Sequence, residues 1–168
     1  TRSYVRVLTE LKRLQPALNP TTVMTDFERA AILARITVFP NATQRGCLFH
    51  LSQCIWRHLQ QIPELQQRYT TDADFALAIR QLAALAFVPT DDVTTVFDDL
   101  MESIFYQANS DILRDLVNYF EDTWIRRPNR RGRGRSEPIF PHSLWNCYDA
   151  SLDDLPKTNW KYSQLIAQ

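Results

Sequence analysis

Several things are scarce in this chain. It has three cysteines in 168 residues, an odd number and widely spread, so no disulfide framework is implied and a reducing compartment is expected. There is no secretory signal and no apolar run near the roughly 18 residues a membrane helix needs, which argues against export and against spanning a bilayer. Glycine occurs three times, no initiator methionine is present, and no glutamate follows Glu137. With Thr1 in first place, the chain reads as a piece of something longer. No internal repeat is found, and no low complexity outside one arginine-rich stretch.

What is present fits a globular α/β chain, with 45% apolar and 23% charged residues. The formal net charge is zero, but the charges are segregated. Asp91 to Asp122 contains nine acids against the single base Arg114, and Arg126 to Arg135 contains six arginines and no acid. Overall charge therefore selects no partner, while local charge can.

The pattern predicts a helix over 3–15, closed by Pro16 and Pro20, and a strand over 21–25 buried on both faces. Asp26 is expected as the N-cap of a helix running from Phe27 to Val38. A second strand is expected over 44–49, then a helix over 50–61 ended by Pro63. This order predicts two parallel strands joined by a helical crossover. Further helices are predicted over 75–87, 94–105 and 112–125, making an all-helical block. Residues 126–135 read as an exposed loop, 138–141 as extended, and 143–152 as one short helix. The divisions are 1–62, 63–125, 126–137 and 138–168.

Asp26 is the first candidate for chemistry, because open α/β sheets place ligands at the carboxyl ends of their strands and a carboxylate there can hold a divalent cation. On position alone a helix cap, worth about 1 kcal/mol, is the favoured reading. Glu28 is either a second acid or a favourable charge in a first helical turn. Cys47, His50, Cys54 and His58 suggest zinc, but the last three fall in a row along one helix over about 12 Å, too far for one ion. Cys47 and Cys54 then read as core thiols and His58 as an edge imidazole. A metal-free hydrolase with Cys47 or Cys54 as nucleophile and His50 as base lacks an identifiable orienting acid. Arg126, Arg127, Arg130, Arg131, Arg133 and Arg135 have the composition of a phosphate-binding segment, flanked by the aromatics Trp124 and Phe140. The competing reading is a solvated loop that neutralises the acidic helices before it.

Seven segments, in order, resemble the catalytic domain of Mutator-like (MULE) transposases. They are Met24–Glu28, Val38–Pro40, Gly46–Gln53, Leu85–Pro89, Tyr119–Glu121, Leu144–Asn146 and Leu155–Asn159. The resemblance implies a helix-rich α/β fold: a partial RNase H-like core of two parallel strands with flanking helices, plus an all-α insertion. It implies two-metal DNA strand cleavage and transfer with Mg2+ or Mn2+, transposon-end DNA as partner and the nucleus as location. Self-association is a further option; no membrane and no small-molecule substrate are implied. Asp26 matches the second of the family's three acids, and Cys47 and His50 match its Cys-x-x-His motif, where the His helps position the DNA. The first Asp would lie in a hairpin before Thr1. The third acid belongs to a Thr-Asn-Asn-x-x-Glu signature that here reads Thr158-Asn159-Trp160-Lys161-Tyr162-Ser163. One carboxylate cannot hold two metal ions roughly 4 Å apart, so an inactive chain is expected. A non-catalytic nucleic-acid or protein-binding module derived from a transposase is the alternative.

Overall fold

A computed structural model of the chain describes residues 1–128 and 135–158. It is helix-rich α/β. Helix α1 (Arg2–Leu14) leads into strand β1 (Thr22–Thr25), helix α2 (Arg29–Val38) and strand β2 (Thr43–Gly46). The strands pair in parallel, Thr22 opposite Thr43 and Thr25 opposite Gly46, with α2 as the crossover. Threonine and valine fit the pleat of β1, but none of its residues is buried. The expectation of a strand buried on both faces is therefore corrected: among the described residues the sheet has two strands, and no further strand covers it.

Two boundaries also differ from the sequence pattern. Helix α2 starts at Arg29, not Phe27, and Asp26 does not cap it. Its Oδ1 instead accepts from the Glu28 N–H at 3.3 Å, the i to i+2 contact of an Asx turn. The reason lies in Phe27, whose ring packs edge-on against Trp124 at 4.7 Å and against Phe140 at 5.3 Å. Turning that ring inward holds residues 26–28 out of helical register. Likewise β2 ends at Gly46, and α3 (Leu48–Leu59) begins two residues sooner than expected, with Cys47 in its N-cap position. Gly46 is required there, since a Cβ would lie 2.5 Å from the Phe27 ring.

The helical block follows as α4 (Pro63–Thr71), α5 (Ala73–Ala84) with a 3-10 turn (Leu85–Phe87), α6 (Val93–Glu102), α7 (Ile104–Ala108) and α8 (Ser110–Phe120). Pro63 opens α4 as well as closing α3, because the first helical position needs no N–H and suits the fixed φ of proline. Asp72 does what Asp26 does not: its Oδ1 accepts from the Phe75 N–H at 2.9 Å and caps α5. Helix α8 widens into a π-helical turn (Glu121–Ile125) that buries Trp124 and Ile125. The stretch expected as one helix over 143–152 is two, α9 (His142–Trp145) and α10 (Tyr148–Leu152), because the Cys147 N–H is drawn to the Ala86 carbonyl at 2.6 Å.

One hydrophobic cluster joins α3, the helical block and Trp145, with Leu51, Leu59, Leu65, Leu82, Leu116 and Phe120 fully enclosed. Each such side chain contributes about 1.5–3 kcal/mol of transfer free energy. No helix among the described residues is long and apolar enough to cross a membrane.

Candidate functional site

The carboxyl ends of the two strands bring the sequence candidates together. The Cys47 N–H donates to the Thr25 carbonyl at 3.0 Å, one step beyond the last strand pair. Asp26 and Cys47 therefore leave the sheet side by side, and His50 stands in the first turn of α3. Thr25 fixes this corner: its Oγ1 donates to the Asp26 carbonyl at 2.8 Å and accepts from Gln44 Nε2 at 2.8 Å. Asp26 is half-buried, and its charge reaches Cys54 on the next turn of α3.

The far end of the chain returns to the same corner. The Leu48 N–H donates to the Lys157 carbonyl at 2.9 Å, and Cys47 Sγ lies 3.6 Å from Thr158 Oγ1. Thr158 opens the stretch that the sequence resemblance aligned with the family's last signature; the rest of that stretch, Asn159 to Ser163, lies outside the described residues. His50 Nδ1 is buried with no hydrogen-bond partner among the described residues, an orphan a neighbouring donor would satisfy.

Glu28 is turned away from the corner. The Tyr4 hydroxyl donates to its Oε2 at 2.5 Å, tying α1 to the start of α2 and raising the Tyr4 pKa through that bond to the carboxylate. Burial is the main cause that pushes the Cys54 thiol upward, against Arg57 and Tyr119, which pull it down. A raised thiol is a poor nucleophile. His58 stacks on Tyr119 at 4.2 Å, and burial pushes that phenol up to about 12. No group of three or more His, Cys, Asp or Glu among the described residues is placed to hold a metal ion. Asp26, Cys47, His50, Cys54 and His58 thus do not form a ligand cage, and a pair of divalent ions does not fit the donors gathered here.

The arginine stretch splits into parts. Arg130, Arg131 and Arg133 lie outside the described residues. Arg127 forks onto Asp122 at 2.5 and 3.1 Å and reaches Asn118. Arg135, only 14% exposed, bridges Glu121 at 2.7 Å and Asp98 at 2.5 Å, and it also binds the Arg126 carbonyl. Arg126 makes no ion pair among the described residues; its Nε donates to Ser136 Oγ at 3.2 Å. Its backbone sits at φ 74°, on the left-handed side that non-glycine residues avoid. A short antiparallel bridge, Pro128 to Arg135, closes the base of the stretch. Sequence reasoning found the charge segregation but not which arginines the acids hold, because that depends on how α6 and the π turn are placed.

Residues 1–54, about a third of the chain, are similar to the family model of the MULE transposase domain. The match contains Met24–Glu28, Val38–Pro40 and Gly46–Gln53; the four later motifs fall beyond it. No curated protein and no solved structure matches the chain.

Proposed function

We propose that the chain carries part of a MULE-type DNA strand-transfer domain on a partial RNase H-like core, and that these residues alone do not cleave DNA. In this reading Asp26 descends from a metal-binding carboxylate, and Cys47 and His50 from the pair that positions DNA. The observation that carries it is the backbone bond from Cys47 to Thr25, which sets both halves of the motif at one sheet end within the matched stretch. The family's Mg2+ or Mn2+ would need carboxylates that the gathered donors do not supply, so no metal-assisted step is assigned. The expected result of a nuclease assay with Mg2+ or Mn2+ is no cleavage; metal-dependent cleavage abolished by Asp26→Ala would refute inactivity.

DNA contact, nuclear location and self-association belong to the same proposal. Arg126, Arg127, Arg130, Arg131, Arg133 and Arg135 supply the phosphate-binding charge, in a binding module that can persist without catalysis. Arg127 and Arg135 are already committed to carboxylates, so neutralising them should weaken DNA binding less than neutralising Arg130, Arg131 and Arg133 together. Affinity should fall steeply with salt. Salt-insensitive binding would remove the nucleic-acid reading and leave protein contact.

A further inference from the structure

A different cation in this molecule is buried with no counter-charge paired to it among the described residues. Arg35, on α2, is only 8% exposed. Its Nε donates to Gln44 Oε1 at 2.9 Å and its Nη1 to the Ala42 carbonyl at 2.8 Å. None of the ion pairs among the described residues involves it, and none involves Arg29, at the start of the same helix. Removing a guanidinium from water beside neutral acceptors alone is unfavourable, and an anion within reach would offset that cost.

There is room for one. Arg29 and Arg35 line a cavity of about 320 Å³ between α2 and the segment before α9, within the roughly 300–1,000 Å³ of small-ligand sites. Gln44 adds an amide, and Ser143 a hydroxyl. The remaining wall is apolar, with Leu33 and Ile139 each 50% exposed at its rim. No carboxylate among the described residues lines it. A guanidinium with its Nε and one Nη1 hydrogen already engaged still has Nη2 free among the described residues, and the planar fork matches two oxygens of a phosphate.

We propose that this cavity binds the phosphate of a nucleotide, with Arg35 and Arg29 on the phosphate oxygens and Leu33 and Ile139 against the sugar or base. The fixed cation gives the phosphate its position, and the apolar rim separates a nucleotide from a bare anion. The site lies apart from Asp26, requires no cleavage and does not involve the arginine stretch. It stands or falls independently of strand transfer.

The test is a heteronuclear NMR titration of the chain with thymidine 5′-monophosphate, inorganic phosphate, acetate and a short oligothymidylate. Saturable shifts are expected at the amides of Leu33, Ile139 and Ser143 with the nucleotide, at least tenfold tighter than with inorganic phosphate, and none with acetate. Competition by the oligothymidylate assigns the phosphate to a strand; its failure to compete assigns it to a free nucleotide, and the site stands in both cases. Arg35→Gln should abolish the shifts but also removes structural bonds. Arg29→Gln and Leu33→Glu, at exposed positions, keep the test decisive, with losses of about threefold and tenfold. Overturning results are no saturable shift at these amides, equal binding of acetate, or unchanged affinity in both exposed variants. If neutralising Arg130, Arg131 and Arg133 weakens DNA binding while Arg29→Gln and Leu33→Glu leave nucleotide affinity unchanged, the pocket is refuted and the transposase reading survives. The reverse result separates them the other way.

Discussion

The first 46 residues and the helical block that follows are built to different standards. Before Leu48 the buried apolar residues are Ala34, Phe39, Ala42 and Cys47, and α1 buries nothing. From Leu51 to Cys147 a single cluster encloses two tryptophans and most of the large aliphatic side chains. Yet the family match covers residues 1–54, the thinner part. Family resemblance here follows the motif corner, whereas most of the burial lies in helices beyond it. Phe27 is the stitch between them, reaching from the Asx turn into the aromatic group of Trp124 and Phe140.

Substitutions can break this contrast at different depths. Trp124→Ala, at a residue 1% exposed, should cost about 3–5 kcal/mol in chemical denaturation and unfold both parts together. Gly46→Ala should cost about 1–3 kcal/mol, because the new methyl must push the Phe27 ring aside; its signature is loosened exchange in β1 and β2 with the helical block protected. A loss shared equally by both parts would deny that Phe27 is a local stitch.

The third effect is one of pH. Burial lowers the His142 pKa, opposed by the Trp124 backbone and the charge of Glu137. The folded state thus takes up this proton at lower pH than the unfolded chain, whose imidazole titrates near about 6.5. The contribution is present above that pH and is lost as pH falls toward the folded value. His142→Asn should flatten this acid limb of the stability curve; an unchanged slope would assign it to other groups. The smallest effect belongs to Leu11→Ala on the exposed face of α1, expected within about 0.5 kcal/mol by denaturation. A large loss there would show that α1 is covered in solution, as self-association requires.

Periodicity made the order of the first elements legible, including the parallel pair and its crossover, since short β-prone or apolar runs alternate with stretches of helical spacing. The ends were less legible. Asp26 precedes a helical pattern just as Asp72 does, but only Asp72 caps, because Phe27 is pulled inward by aromatics about a hundred positions away. Pro63 is a stop signal and a start signal alike. At the candidate site, Asp26, Cys47 and His50 could be named from their motif. The return of Lys157 and Thr158 to that corner, and the pairing of Arg127 and Arg135 with Asp122, Glu121 and Asp98, depend on tertiary placement. The uncompensated Arg35 was invisible because nothing in a sequence says which arginine will be enclosed.

The meeting of Cys47 with Thr158 spans 111 positions, so everything between them forms a closed detour that leaves one corner and comes back to it. The entropy of closing such a loop grows only with the logarithm of its length, and shortening it to about ten residues would recover only about 2 kcal/mol. That is comparable to enclosing one leucine. Helices can therefore be lengthened, lost or exchanged along the detour at little cost to closure, provided each new piece brings its own buried side chains. The corner acts as a seam at which this architecture can change size while its first strands keep their register.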